Sequence, residues 1–371
     1  MITSAKPIEA LRSFHPNKEN MSRNRIILVT VGIMLSLFLA SMESTVVATA
    51  MPTIVGQLGG LKNYSWVFSA FMLASTTTVP LYGKLSDIYG RRKLYVFAMA
   101  LFLIGSVLCG LATTLTQLIL ARALQGIGAG GIMPLAFILI GEMFSLEQRT
   151  KMQGVFSGVW GVSSVAGPLL GGFIVDQLSW HWIFYINVFP GLIAGALVAF
   201  AWRDQAYSHE RPAVDYAGAA LLSASVVLLL LGLMELGTSQ GWLFIASALI
   251  LFVILFRVER RAADPILPLA LFRDRLFSTA TSHGLFTGWA VFGTISFIPL
   301  FVQSVLGASP TQAGVTVTPM LLGWVACSIF GSRILLKVGY RRLSIIGTSI
   351  FIIGAALLAI FGADASRIFV M

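Results

Sequence analysis

The stretch GKLSDIYGRRKLY, from Gly83 to Tyr95, joins two long apolar segments and sets how the rest of the sequence is interpreted. Its three consecutive basic residues are typical of a short loop on the positive side of a membrane. Its two glycines, Gly83 and Gly90, permit close helix approach and a sharp reversal of the chain. Asp87 can cap the following helix or pair with an arginine across the turn. The stretch therefore predicts a tight, ion-paired turn between two membrane-spanning helices.

The composition outside this turn is that of a polytopic membrane protein. Hydrophobic residues make up 57% of the 371 residues, charged residues make up 11%, and the mean hydropathy is +0.87. A helix needs about 20 mostly apolar residues to cross a hydrocarbon core of about 30 Å. The predicted fold is all-α, with eleven spans that begin near Ile27, Tyr64, Leu94, Leu115, Met152, His181, Tyr216, Gly241, Leu276, Thr311 and Leu343.

The basic residues are distributed as an orientation signal. With the N-terminus inside, all 25 Lys and Arg except three lie in the N-terminal tail or in loops on the cytoplasmic side. The exceptions are Lys62 and Arg367 on the outer side and Arg122 within a span. This asymmetry predicts a multi-pass protein of the plasma (inner) membrane with a cytoplasmic N-terminus. Because no long basic tail or aromatic-interleaved patch remains, the net charge of +10 does not indicate nucleic acid binding.

Two longer loops divide the predicted spans into groups of six, two and three. We expect residues 1–25 to form a cytoplasmic tail, 26–205 an N-terminal six-helix bundle, 206–262 two linker helices, and 263–371 a partial C-terminal bundle of three helices. GSRILLKVGYRR, from Gly331 to Arg342, occupies in the last group the place that GKLSDIYGRRKLY occupies in the first. It is a partial repeat of the first stretch, with flanking glycines and paired arginines, as expected of a protein built from repeated helical bundles.

The sequence carries no signal for catalysis, a cofactor or a metal, and none for oligomeric state. A G-x-x-x-x-G-K-[ST] loop is absent, which argues against ATP as an energy source. The two cysteines, Cys109 and Cys327, lie in separate apolar segments, and the four histidines form no metal-ligand pair. GIGAGG, from Gly126 to Gly131, formally matches a dinucleotide-binding turn, but it lies within a span and predicts close packing of helices.

These motifs together resemble the major facilitator superfamily. GKLSDIYGRRKLY is similar to its signature loop, G-x-L-[AS]-D-x-x-G-R-[RK], and ARALQGIGAGG is similar to its fourth-helix motif. ASMESTVVATAMPTI, WHWIFYINVFPG and PLFVQSVLGASPTQAG resemble segments of its fourteen-helix drug:proton antiporter branch, in which two extra helices separate two six-helix halves. Against that pattern eleven spans leave the second half three helices short, so the chain is interpreted as truncated at its C-terminus.

The resemblance implies roles for the residues of two motifs. The signature loop would act as a conformational latch through Gly83, Asp87, Gly90, Arg91 and Arg92. GVWGVSSVAGPLLGG is similar to the fifth-helix antiporter motif, and its glycine density with a proline indicates a kinked helix that seals the two bundles together. The residues assigned to this antiporter-motif helix are Gly158, Gly167, Pro168, Gly171 and Gly172.

Two charges, Glu43 and Arg122, lie well inside predicted spans. A charge there costs roughly 2.5 to 3.5 kcal/mol on insertion scales, so it tends to face the bundle interior and to serve a purpose. At about 1.5 Å per residue, Glu43 lies about 24 Å from the inner boundary and Arg122 about 10 Å from the outer one. In the resembled fold these two helices face one another, so direct or water-bridged contact is expected. The pair is either a structural ion pair or a proton-coupling site.

The resemblance implies export of small amphipathic or cationic compounds, including drugs, in exchange for protons and by alternating access. The expected partners are a small-molecule substrate, protons and the lipid bilayer. The residues expected to line the substrate cavity are Gln125, Trp160, Trp289 and His283. Two alternatives stay open: a proton-coupled importer or facilitator of sugars or organic acids, and a membrane scaffold or receptor that transports nothing.

Overall fold

The computed structural model describes residues 21–60, 63–204, 215–262, 265–267, 269–304 and 310–360. Over these residues the regular secondary structure is helical, without a β-strand. Numbered in chain order, the α-helices are α1 Arg23–Leu58, α2 Trp66–Tyr89, α3 Arg91–Gly110, α4 Leu115–Met143, α5 Leu146–Gln177, α6 Trp182–Tyr185, α7 Val188–Ala201, α8 Tyr216–Met234, α9 Ser239–Glu259, α10 Arg275–Ser304, α11 Pro310–Val338 and α12 Tyr340–Ile360, with a 3₁₀ turn at Leu269–Arg273.

Helical structure is present at each of the predicted windows, but not all of it qualifies as a membrane span. Among the described residues, seven helical segments are long and apolar enough to cross a membrane. The other four predicted windows correspond to α2, α5, α10 and α11, which carry more charged, hydroxyl and glycine residues. The all-α multi-pass architecture is therefore confirmed, and the count of eleven spans stays a prediction. The seven segments are Arg23–Leu58, Arg91–Gly110, Leu115–Met143, Trp182–Ala201, Tyr216–Met234, Ser239–Glu259 and Tyr340–Leu357.

The predicted sixth span is broken into the short helix α6 and the longer helix α7. The backbone N–H of Asn187 donates to the carbonyl of Phe184 at 3.2 Å in a tight turn between them. Pro190, in the first turn of α7, has no N–H to donate to the carbonyl of Ile186, so the helix restarts after the turn. The break leaves the side chain of Asn187 completely buried inside the fold.

Glycines bring α4 close to α2 and α3, as the segment Gly126 to Gly131 predicts. A Cβ on Gly126 would lie 2.5 Å from the carbonyl oxygen of Phe71 in α2. In α3, a Cβ on Gly105 would lie 2.5 Å from the Cα of Gln125 in α4. Neither position has room for a larger residue, so the backbones approach closely, as small residues allow in membrane helices. This approach sets the distance between polar side chains on α3 and α4.

The chain forms two compact units. The first comprises Met1–Leu146 and Val162–Pro268, and the second comprises Glu147–Gly161 and Leu269–Met371. The first unit contains α1 to α4, the C-terminal half of α5, and α6 to α9. The second contains the beginning of α5 and α10 to α12. The division into bundles of six, two and three helices remains a prediction.

The apolar core of the first unit surrounds a polar interior. Val46, Leu118 and Phe184, from α1, α4 and α6, are each 1% exposed or less and belong to one packed cluster. A polar group among such side chains is costly unless it is hydrogen-bonded within the protein. The buried polar residues of this unit are therefore expected to form hydrogen bonds with one another.

Candidate functional site

An ion pair between α1 and α4 lies at the centre of the first unit. The Nη1 of Arg122 donates to the Oε1 of Glu43 at 2.6 Å, and both side chains are 1% exposed. The Nε of Arg122 donates to the carbonyl of Val67 at 3.2 Å. The guanidinium carbon also lies 4.1 Å from the ring centroid of Phe71, a cation–π contact. The contact expected between the first and fourth helices is thus direct.

Gln125 joins this pair one turn further along α4. Its Oε1 accepts from the Nη1 of Arg122 at 2.7 Å, and its Nε2 donates to the Oε1 of Glu43 at 3.0 Å. The Sγ of Cys109 lies 3.6 Å from the same amide oxygen. Gln125 is completely buried, so it belongs to the network around the carboxylate. The expectation that it lines a substrate cavity stays a prediction.

Asn187 and Ser106 complete the network and were not singled out from the sequence. The Nδ2 of Asn187 donates to the Oε2 of Glu43 at 2.6 Å and to the Oγ of Ser106 at 3.0 Å. Ser106 in turn donates to the carbonyl of Phe184 at 2.9 Å, next to the break between α6 and α7. The available signal was an asparagine placed three residues before Pro190 inside an apolar run. Four elements, α1, α3, α4 and the α6–α7 turn, are therefore joined in one hydrogen-bond network around the carboxylate of Glu43.

The network can serve both charge states of Glu43. Its N–H donors stabilise an ionised carboxylate, whereas burial in an apolar core favours the neutral acid. The Oδ1 of Asn187 is buried without a hydrogen-bond partner in the described part of the chain. Rotation of that amide would turn Oδ1 toward Glu43, where it can accept the proton of a neutral acid. The carboxyl group is therefore surrounded by donors and by one acceptor that has no partner among the described residues.

The turn between α2 and α3 contains the predicted ion pair. Asp87 binds Arg91 with Oδ1 and Nη2 2.9 Å apart, and Arg91 also pairs with Glu142 of α4. Gly90 has a φ of +92°, a conformation that favours glycine, and it reverses the chain as predicted. The close approach expected at Gly83 is not found, because no described atom lies within 4 Å of a Cβ placed there.

The first turn of α3 is capped by a residue from far along the chain. Asp87 does not cap α3, so of its two predicted roles only the ion pair is present. Instead, the backbone N–H of Arg92 donates to the Oδ1 of Asp204 at 3.1 Å. The Nε1 of Trp202 donates to the same oxygen at 2.9 Å. Asp204 therefore ties the beginning of α3 to the end of α7.

The glycines of the fifth-helix motif fall into two groups. A Cβ on Gly171 would lie 3.1 Å from the carbonyl of Val46, and one on Gly167 would contact Thr45, so both glycines face α1 closely. Gly158 and Gly172 have no described atom within 4 Å of a Cβ position. The side chain of Pro168 lies outside the described part of the structure. The kinked, sealing role of this helix stays a prediction.

The other three residues predicted to line the substrate cavity belong to the second unit. Trp160, on the part of α5 in that unit, is 48% exposed, and Trp289 on α10 is 76% exposed. His283 is exposed, and its Nε2 lies 3.0 Å from the Oγ1 of Thr348 on α12. Gln125 belongs to the first unit. The structure of each unit by itself therefore does not bring these four residues together.

Comparison with known proteins gives the family. Residues 33–371 match the family model described as Major Facilitator Superfamily. The chain belongs to the major facilitator superfamily. Its members are membrane transporters rather than enzymes, so this chain is a multi-pass membrane protein of a transporter family. The resemblance of its motifs to this superfamily is thereby confirmed.

Several relatives within the superfamily are named for drug transport or efflux. Multidrug resistance protein 3 of Bacillus subtilis is 41% identical over an alignment of 347 positions that covers 92% of this chain and 67% of the relative. Multidrug transporter protein MdtP of the same species is 41% identical over an alignment of 359 positions that covers 95% of this chain and 66% of the relative. Efflux pump FUS6 of Gibberella fujikuroi is 32% identical over an alignment of 378 positions, gaps included, that covers 97% of this chain and 67% of the relative. The chain thus spans about two thirds of the length of these relatives.

Solved structures of the superfamily share the fold. The human organic anion transporter MFSD10 (TETRAN) superposes with a TM-score of 0.59 at 15% identity, over 82% of this chain and 72% of that one. The proton:xylose symporter XylE gives a TM-score of 0.56 at 14% identity, over 84% of this chain and 69% of that one. At such low identity the similarity identifies the helical architecture alone.

Proposed function

We propose that this chain exports small amphipathic or cationic compounds, including drugs, in exchange for protons. The observation that carries the proposal is the fully buried carboxylate of Glu43, held by a cation and two amides inside a membrane-spanning unit. An ionisable group at such a position is costly, and in membrane proteins it marks proton or substrate pathways. The names of the 41%-identical relatives support drugs as the substrate class.

In the proposed cycle, Glu43 binds and releases one proton as the protein opens in turn to each side of the membrane. A proton crossing the membrane gains roughly 2.3 kcal/mol per 100 mV of potential, which can be used to expel a substrate. Protonation removes the charge that Arg122 binds and leaves the guanidinium with the neutral oxygens of Gln125 and Val67. Protonation of Glu43 therefore changes the free-energy difference between two conformations of the protein. The proposed location is the plasma (inner) membrane with a cytoplasmic N-terminus.

Proteoliposomes containing the full chain test this function. With an acidic lumen and a fluorescent cationic dye outside, an antiporter is expected to accumulate dye inside while protons leave. A symporter would accumulate the dye only when the lumen is alkaline. A scaffold or receptor would bind the dye and move none in either gradient. Dye accumulation on the acidic side supports the proposal, and either of the other two patterns contradicts it.

The turn at Gly83 to Arg92 is proposed to act as a latch that holds one conformation, through the ion pair between Asp87 and Arg91. We expect Asp87→Asn to reduce the efflux rate by tenfold or more while the protein still inserts and folds. The stability change should be about 1 kcal/mol or less, because the Asp87 side chain is half exposed and Arg91 keeps its ion pair with Glu142. The measurements are dye efflux from cells and the amount of membrane-inserted protein.

A matched control for the latch is Glu147→Gln at the beginning of α5. Glu147, like Asp87, is an exposed carboxylate in an i,i+4 ion pair, here with Lys151 at 3.0 Å, so this variant removes a comparable acid outside the latch. We expect its efflux to match that of the wild type. Unchanged efflux in Asp87→Asn, or an equal loss in both variants, would show that the ion pair at Asp87 has no special role.

A further inference from the structure

A groove of about 850 Å³ lies between the beginning of α3 and the end of α7, in the first unit. Its lining includes three cations, Arg92 and Lys93 on α3 and Arg203 just after α7. It also includes Val96 and Phe97, one turn further into α3. The groove is distinct from the buried network around Glu43, with which it shares no residue.

The lining changes from charged to apolar in the same direction on both helices. Along α3, the cations occupy the first turn and the apolar side chains the turns that follow. On the α7 side, Arg203 follows the last turn and Ala199 lies one turn inside it. Both helices therefore present cations at one membrane boundary and apolar surface toward the membrane interior. A phospholipid has this same order, with a charged headgroup above its acyl chains.

The cations of the groove are free to bind a ligand. Arg92, Lys93 and Arg203 are exposed, and the described residues offer none of them a carboxylate in an ion pair. The one acid in the lining, Asp204, accepts hydrogen bonds from the backbone of Arg92 and from Trp202. It thereby fixes the two walls of the groove together. Three cations against one carboxylate leave the groove with an excess of positive charge.

We propose that this groove binds an anionic glycerophospholipid. The phosphate would lie among Arg92, Lys93 and Arg203, and an acyl chain would lie along Val96 and Phe97. Basic pockets between membrane helices bind anionic headgroups in this way. Inorganic phosphate would contact the cations but would leave the apolar side of the groove without a ligand. A zwitterionic lipid would bring a further positive charge into a groove that already has excess positive charge. Given the proposed orientation, the lipid belongs to the inner leaflet.

Native mass spectrometry of the full chain in detergent tests the site. Phosphatidylglycerol is expected to bind at least tenfold more tightly than phosphatidylcholine, with an affinity that falls as salt is raised. Each basic residue near an anionic lipid contributes about fivefold in affinity, so the double variant Lys93→Gln/Arg203→Gln should weaken phosphatidylglycerol binding by about 30-fold. Inorganic phosphate should displace no more of the bound lipid than chloride does at the same ionic strength.

Two controls keep the test specific. Arg260→Gln/Arg261→Gln removes the same charge from exposed positions after α9, outside the groove, and should leave lipid binding unchanged. Lys93→Arg/Arg203→Lys keeps the charge and should retain binding. Three results would overturn the proposal: equal binding of the two lipids, stronger displacement by inorganic phosphate than by chloride at the same ionic strength, or an equal loss in Lys93→Gln/Arg203→Gln and the control pair.

Discussion

Replacing Arg122 with methionine is expected to lower the free energy of unfolding by about 3 to 5 kcal/mol, the cost of breaking a buried ion pair from one side. The substitution removes donors to Glu43, Gln125 and the carbonyl of Val67. It also leaves a carboxylate that is 1% exposed without a cation. Unfolding of the purified protein by sodium dodecyl sulfate in mixed micelles, followed by tryptophan fluorescence, measures the loss.

The double variant Glu43→Gln/Arg122→Met separates charge from packing. It removes both charges, and a buried ion pair replaced on both sides often costs little. We expect it to recover at least half of the stability that Arg122→Met loses. Arg261→Met, at an exposed position after α9, should change stability by less than about 0.5 kcal/mol. If the double variant were no more stable than the single one, the loss would come from packing around Phe71 and not from the unpaired carboxylate.

The contact between Glu43 and Arg122 was predictable because a charge inside a membrane span requires a partner. The sequence contains few such charges, and the resembled fold already places their helices face to face. The long apolar runs likewise predict where helices lie. The apolar runs do not predict which of these helices span the membrane, because α2 and α5 mix apolar residues with charges and glycines.

Uncharged polar residues carry a weaker signal than buried charges. Asn187 and Ser106 lie in apolar runs as many packing residues do, and only the break between α6 and α7 turns Asn187 toward Glu43. Asp204 was missed for a related reason, because beside Arg203 it is typical of a solvated loop, yet it caps α3. Trp160 and Trp289 carry no such signal. An apolar side chain can contact lipid, pack in the core or line a cavity, so the residue type does not predict which of these it does.

The substitution Glu43→Gln is expected to abolish proton-driven accumulation of substrate while leaving passive exchange. The introduced amide has nearly the shape of the neutral acid and can still accept from Arg122, but it cannot gain or lose a proton. A pH difference of one unit is worth about 1.4 kcal/mol, so one-for-one antiport can sustain roughly a tenfold substrate gradient per unit. We expect the wild type to approach that gradient in proteoliposomes and Glu43→Gln to stay near onefold.

Counterflow and a conservative variant distinguish loss of coupling from loss of the protein. In substrate counterflow without a pH gradient, Glu43→Gln should exchange labelled for unlabelled dye at a rate near that of the wild type. Glu43→Asp keeps a titratable carboxylate with an arm one methylene shorter, and it should retain part of the accumulation. The alternative of a purely structural ion pair predicts a different pattern, because both variants would then lose stability yet accumulate substrate at the wild-type level per folded molecule. Accumulation by Glu43→Gln at the wild-type level would therefore place proton coupling at another residue and leave Glu43 as a helix-pairing group.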